Sequence, residues 1–341
     1  MNRSIPLRAI LTNETFLYVV KRLLQGLLSL FLASILCFSI IQLAPGNYLD
    51  VIKEQNTQIS PETLESFRVQ FGLDKSPTEQ YLYWLWGVVT RFDFGQSFVY
   101  FRPVSELIVE RLRGTLLLAV ASIFFTWAIA IPLGILSAVK QNTLIDKFLR
   151  VISYLGQGFP TFITALLLLF IAQITSPLLP VGGMTSINHD QLSPLGKILD
   201  LAWHMFLPTV ALSLSSFAGL QRLTRGQILD VLRQDYIQTA RAKGLPENRV
   251  LYIHALRNGI NPLITLLGFE FASLLSGSFI AEYFFNWPGT GRLILQAVQA
   301  KDWYLVMASL MMGATMLIIG NLLADLLLKF VDPRIRLEDL Q

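Results

Sequence analysis

The 341-residue sequence holds one cysteine, Cys37. No intrachain disulfide is therefore available, and the place of Cys37 inside an apolar run fits packing better than metal or redox chemistry. Charge is scarce too: Asp, Glu, Lys and Arg make up 15% of the chain, against 53% hydrophobic residues, where a soluble domain carries roughly 25% charged residues. From Leu23 to Ala44 there is none at all. A globule in water needs more polar surface than this, which excludes an ordinary soluble protein and makes lipid the natural solvent for such runs. Histidine is limited to His189, His204 and His254, no two of them at the i, i+4 spacing that sets two zinc ligands on one helix face, so no metal site is legible. No G-x-x-x-x-G-K-[ST] occurs; Gly196-Lys197-Ile198 lacks the first glycine and the hydroxyl, and the chain does not cradle nucleotide phosphates. A G-x-S-x-G elbow is missing as well, and Ser276-Gly277-Ser278 has no histidine near it in sequence, which argues against an intramembrane hydrolase.

Apolar length is what the sequence has. A helix needs about 20 residues to cross roughly 30 Å of hydrocarbon, and six runs qualify, at about 23–43, 115–139, 151–175, 202–221, 263–285 and 304–328, the third and fourth interrupted by Pro160 and Pro208. The first exceeds the roughly 7–15 residues of a signal-peptide core, and no small-residue cleavage site follows it, so it reads as a retained anchor. Placing both termini inside puts about 17 of the 27 Lys and Arg residues in the cytoplasm and about 3 in the two short outer loops, as the positive-inside rule requires. Segments 1–22 and 330–341 are then cytoplasmic tails, 44–113 is a long outer loop, and 114–329 carries the remaining spans.

The outer loop has order of its own. Ser60-Pro61-Glu62 and Ser76-Pro77-Thr78-Glu79 each offer an N-cap serine, a proline at the first helical position and an early acid that complements the helix dipole. Two short helices are expected, the first ending at Gly72. An irregular stretch through Asp93-Phe94-Gly95 and a third amphipathic piece over Pro103–Arg113 should follow.

The segment 222–262 holds 7 basic and 3 acidic residues, a net charge equal to the +4 of the whole chain. Leu229, Leu232, Tyr236 and Ala240 recur at spacings of 3, 4 and 4, one apolar helical stripe. Arg241 and Lys243 suit the last turn of a helix, and Gly244 suits the left-handed residue just past it. Pro246-Glu247 opens a second helix carrying Val250, Leu251 and His254, until Asn261-Pro262 starts the fifth span. Such a helix-turn-helix could read DNA, but a reader of DNA has no need of two ends fixed to membrane spans. An apolar stripe in neither lipid nor a core of its own implies a protein partner.

The run Asp235-Tyr236-Ile237-Gln238-Thr239-Ala240-Arg241-Ala242-Lys243-Gly244, followed by His254-Ala255-Leu256-Arg257-Asn258, resembles the EAA loop of ABC importer membrane subunits. More narrowly, it is similar to the B-type permease of dipeptide, oligopeptide and nickel importers. Similar short patterns recur in order along the chain: Ala44-Pro45-Gly46, Phe71-Gly72-Leu73-Asp74, Asp93-Phe94-Gly95, Pro103-Val104, Pro132-Leu133-Gly134, Trp287-Pro288-Gly289-Thr290-Gly291 and Asp332-Pro333-Arg334.

The resemblance implies an all-α membrane subunit in a bacterial inner membrane, with six spans and no catalysis of its own. It also implies a heterodimer with a related C-type permease, two ATPase subunits that bind ATP and Mg, and a separate solute-binding protein. The coupling residues it assigns are Asp235, Tyr236, Thr239, Ala240, Arg241, Lys243, Gly244, His254, Arg257 and Asn258; Glu282, Trp287, Pro288, Gly289 and Gly291 would form an outer gate or loop. Its cargo would be a di- or oligopeptide, with nickel or another metal chelate as the alternative. An ion-coupled secondary transporter is the competing class, since a midplane carboxylate such as Glu270 would serve it, but the basic loop has no role there.

Two positions depart from the family pattern. Gln238-Thr239-Ala240 stands where the general loop has Glu-Ala-Ala, and Glu270 stands where an uncharged residue such as glutamine is expected. Counting from Pro262 puts Glu270 roughly 12 Å into the fifth span, where it either is hydrogen-bonded within the bundle or lines the path of a cationic cargo. Asp325, four residues before Lys329, reads as an i, i+4 pair.

Overall fold

The computed structural model describes residues 13–55, 59–260, 262–264, 266–267, 270 and 278–331. Among these every regular element is helical: α1 Asn13–Leu43, α2 Tyr48–Gln55, α3 Pro61–Gln70, α4 Pro77–Arg91, α5 Val104–Val139, α6 Leu144–Gly158, α7 Thr161–Ile174, α8 Pro194–Leu232, α9 Asp235–Ala242, a helical stretch over 247–259, α10 Phe279–Phe284, α11 Thr290–Gln299 and α12 Trp303–Val331. Four helices, built on α1, α5, α8 and α12, are long and apolar enough to cross a membrane, and the pair α6 and α7 makes a fifth if counted as one span. The fifth expected span, 263–285, lies partly outside the described residues. Its described parts are helical at 262–264, 266–267, 270 and α10.

Proline explains one departure from expectation and not another. Between α6 and α7 the chain bends by 103°, because Pro160 has no N–H to continue the ladder and holds Phe159 in an extended conformation. Pro208 breaks nothing: α8 runs through it and on to Leu232, well past the expected end at 221. The piece over Pro103–Arg113 is likewise not separate, since α5 is continuous from Val104 into the second span.

The chain divides into two compact units. One comprises Leu23–Thr115 and Pro288–Met316, so the long loop after α1 is folded together with α11 and the start of α12. Its core is aromatic, with Phe38, Tyr48, Phe71, Trp84, Phe98 and Trp303 buried in one cluster and the Phe71 and Phe98 rings 4.4 Å apart. The expected caps are present: Ser60 Oγ accepts from the Thr63 N–H, Ser76 and Glu79 form a reciprocal capping box, and Gly72 takes φ +65° just past α3.

The other unit contains residues up to Arg22, Leu116–Trp287 and the chain from Leu317. Here α6 and α7 pack on α8, where Ser153 Oγ donates to Gln221 Oε1 at 2.6 Å. A Cβ on Gly134 of α5 would lie 2.6 Å from Thr224 of α8, so glycine is what lets those two helices approach. Asp325 pairs across the fold and not along its own helix: it accepts from the Tyr18 hydroxyl at 2.7 Å and from Arg22 at 3.4 Å, while Lys329 donates to Thr15.

Candidate functional site

The basic segment after α8 folds on itself. Arg233 and Gln234 interrupt the helix, α9 follows, and Gly244 at φ +73° ends it. The Gly244 N–H donates to Arg241 O at 2.9 Å and the Leu245 N–H to Ala240 O at 3.3 Å, the paired bonds of a Schellman ending. The chain then enters 247–259, whose turns over Val250–Ala255 are π-helical, a local widening that recurs at functional positions. Ile237, Ala240, Val250 and Ala255 are buried together against Val231, Leu232 and Leu245.

This corrects the sequence reading of the stripe. Leu229 and Leu232 end α8 while Tyr236 and Ala240 lie on α9, so no single helix carries all four. Ala240 faces the loop's own core, with Ile237 the residue that the stripe missed, and Tyr236 is 43% exposed. Asp235, Tyr236, Thr239, Arg241, Lys243, Gly244, Arg257 and Asn258 are exposed on the same folded loop, with His254 half-buried.

Local bonds hold that surface. Arg241 meets Glu247 with two hydrogen bonds, Nε to Oε2 at 3.2 Å and Nη2 to Oε1 at 2.5 Å. That contact holds the Glu247 carboxyl below its ordinary pKa, although both side chains are about half exposed, 43% and 50%, and such a pair adds little to stability. Thr239 Oγ1 donates back to Asp235 O, and Asn258 Nδ2 to the His254 carbonyl at 2.7 Å.

The loop is anchored by a pair the sequence reading did not single out. Arg225, on the last turns of α8, reaches Asp146 at the start of α6, Nε to Oδ1 at 2.7 Å and Nη2 to Oδ2 at 2.9 Å. Asp146 is fully buried and accepts also from Ser137 Oγ at 2.6 Å and the Asn142 N–H at 2.9 Å. One carboxylate thereby ties the end of α5, the turn after it, α6 and the root of the loop.

Glu270 is half-buried and accepts from the Trp127 indole N–H of α5 at 2.8 Å. Trp127 also lines an apolar groove of about 410 Å³ with Phe124, Leu267, Leu323 and Leu327. Glu282 is buried completely. Its carboxylate accepts from Ser278 Oγ at 2.9 Å and its carbonyl from the Trp287 N–H at 2.8 Å, so it orders the turn that leads to the fully buried Trp287. Gly289 is the N-cap of α11 and Gly291 is buried in its first turn, where the Thr290 N–H donates to Thr115 Oγ1 at 2.8 Å. The residues expected to serve coupling therefore share one folded loop, all but Ala240 and the half-buried His254 exposed on it, while Glu270, Glu282 and the Trp287–Gly291 turn stand on other elements. Among the described residues no three His, Cys, Asp or Glu side chains are placed to hold a metal ion; His189 and His204 turn Nδ1 toward Asp200 at 2.7 and 3.3 Å.

Comparison with known proteins covers nearly the whole chain. Residues 130–337 match the family described as binding-protein-dependent transport system inner membrane component, and residues 15–119 match the N-terminal family of such components. The chain is 39% identical over 319 residues to the oligopeptide transport system permease protein AppB of Bacillus subtilis, covering 93% of this chain and 98% of that one. It is 36% identical to the dipeptide transport system permease protein DppB of Escherichia coli K12, over 89% of this chain and 94% of that protein. An inward-facing structure of the MetNI methionine ABC transporter aligns with TM-score 0.51 at 15% identity, over 67% of this chain and 97% of that one, which establishes a shared fold.

Proposed function

Because the chain belongs to the family of binding-protein-dependent transport system inner membrane components, we propose that it is the membrane permease subunit of a peptide ABC importer, passing di- or oligopeptides delivered by a separate binding protein. The observation that carries this reading is full-length similarity to two permeases named for oligopeptide and dipeptide transport. In the native host, deleting this chain should abolish uptake of a labelled tripeptide and leave nickel uptake unchanged. Loss of nickel uptake with peptide uptake intact would move the cargo to a metal chelate.

The chain acts as one half of a heterodimer with a C-type permease, in a bacterial inner membrane with both termini cytoplasmic. Two ATPase subunits bind ATP and Mg and dock on the loop after α8; their closure moves the loop and exchanges inward- for outward-facing states. The exposed Tyr236, Thr239, Lys243 and Arg257, on a loop with its own buried core, support this docking role. The sided distribution of Lys and Arg supports the orientation. Cysteines at Thr78 and Arg249 should label oppositely with an impermeant thiol reagent on intact cells, the first accessible and the second protected; equal labelling would overturn the orientation.

Gly244→Val tests the docking surface. No atom lies within 4 Å of a Cβ built there, so the cost is backbone strain alone, roughly 1–2 kcal/mol for an L residue forced left-handed. Transport and transport-coupled ATP hydrolysis should fall while the spans still insert, and Gly244→Asn should retain much of both. Unchanged coupling in the valine variant would contradict the docking role.

Glu270 gives the path a negative site for a cationic group such as a peptide amino terminus. Its support is a half-buried carboxylate held by one tryptophan inside an apolar span, where an ionised acid costs about 2.5–3.5 kcal/mol on insertion scales. Glu270→Gln keeps an acceptor for Trp127 and removes the charge. Uptake of cationic peptides should drop roughly ten- to a hundred-fold more than uptake of neutral ones, the worth of a charge-assisted contact of ~1.5–3 kcal/mol. Equal uptake of both at the wild-type rate would refute the path role, and loss of assembly would make Glu270 structural.

A further inference from the structure

Where α1 ends, the unit containing Leu23–Thr115 holds a cavity of about 470 Å³ that none of the roles above uses. Ile41, Leu73 and Val306 give it apolar walls, and Lys75, Lys301 and Trp303 give it donors. Trp303 is only 4% exposed, yet its indole N–H has no acceptor among the described residues. A buried donor left without an acceptor destabilises the fold, and a cavity wall is where a ligand would satisfy it. Lys301 donates one proton to the Pro45 carbonyl at 2.6 Å and has two more to offer. Gln80 is already engaged, its Nε2 donating to Lys75 O and its Oε1 accepting from Gln42. No carboxylate lines the cavity; the nearby Asp50 is held by the Asn47 N–H at 2.8 Å. Two ammonium groups and an unanswered N–H call for an anion.

The surroundings specify which kind. The α1 flank leading to the cavity exposes Leu32, Leu36, Ile40 and Leu43, the last at 84%, and the first charge after this run is Asp50. Ile41, Gln42 and Ala44 at the end of α1 line the cavity itself, so acyl chains laid along that flank would end beside it. We propose that this cavity binds the headgroup of an anionic phospholipid, its phosphate against Lys75, Lys301 and the Trp303 N–H and its acyl chains along α1. The site lies at the bilayer boundary whichever side of the membrane that end of α1 faces, and it is independent of the cargo.

The test uses the intact transporter complex, delipidated and titrated with phosphatidylglycerol or phosphatidylcholine while bound lipid is counted by native mass spectrometry. Lys75→Gln, at an exposed position that leaves the core alone, should weaken phosphatidylglycerol binding about five-fold, the worth of ~1 kcal/mol per lysine near anionic headgroups. Trp303→Phe keeps the ring packing and removes the N–H, and should weaken it by a similar factor of about five. Phosphatidylcholine binding should be weaker throughout and less sensitive to Lys75→Gln. Equal phosphatidylglycerol binding by wild type and both variants would overturn the site. Glycerol 3-phosphate or a free dipeptide binding the wild type as tightly as the lipid would overturn the lipid assignment in favour of a soluble anion.

Discussion

Asp146→Ala should destabilise the purified chain by about 3–5 kcal/mol, the cost of removing one partner from a buried, hydrogen-bonded ion pair. The figure follows from what would be stranded. Arg225 would lose both of its bonds to Oδ1 and Oδ2, and Ser137 Oγ and the Asn142 N–H would lose their acceptor. Arg150, whose Nε stands 3.6 Å from Asp146, is a donor itself, so it offers the stranded groups no acceptor and loses its own counter-ion as well. Arg225→Lys should fail as well, because a lysine cannot supply the planar two-bond fork. Asp146→Leu combined with Arg225→Met should recover most of the loss, since a buried pair replaced as a whole by apolar residues is often neutral. Thermal unfolding of the three variants checks this. If the double variant were no more stable than the singles, the pair would not be acting as a unit. Function should separate from stability here: the double variant frees the root of the loop from α6, so coupling to ATP hydrolysis should stay low even where folding returns.

The same pair marks what could be read in the residues and what could not. Long uncharged runs are legible because lipid demands about 20 apolar residues regardless of context, and α1, α5, α8 and α12 stand where composition placed spans. Caps are legible because Ser60, Ser76 and Gly244 act on bonds within a few residues of themselves. Asp146 and Arg225 are 79 residues apart, and each alone looks like one more cytoplasmic charge. A signal existed in the scarcity of charge next to a span, which makes any acid there in need of a partner, but the partner's identity depends on how α6 and α8 pack. Trp127 and Glu270 illustrate the same limit: the carboxylate stood out in its span, and the tryptophan that holds it did not. The stripe through Tyr236 misled because Arg233 and Gln234 break the helix, rotating Ile237 inward and Tyr236 outward.

Asp302→Ala should cost about 3 kcal/mol or more in the unit that contains it, while Asp302→Asn should cost far less. The carboxylate is completely buried between α11 and α12. Its Oδ2 accepts from Ser97 Oγ at 2.6 Å and from the Phe98 and Val99 N–H groups at 2.7 and 3.2 Å, and its Oδ1 from the Leu305 N–H at 3.2 Å. Alanine strands all four donors, each worth about 1–3 kcal/mol when buried without an acceptor. Asparagine can place its carbonyl oxygen at the Oδ2 position and keep three of them, losing only the bond to Leu305. Charge is not what the site rewards: burial raises the Asp302 pKa above its ordinary value despite the opposing donors. With a raised folded pKa, the aspartate's contribution is fully present below its unfolded pKa of ~3.9 and declines as pH rises through the folded value. The stability of wild type relative to the asparagine variant should therefore fall as pH rises across that interval. Hydrogen exchange at Phe98, Val99 and Leu305 reads the outcome locally, with the alanine variant exchanging fastest. If asparagine proved as damaging as alanine, the negative charge and not the satisfied donors would be holding the 97–99 turn against the start of α12.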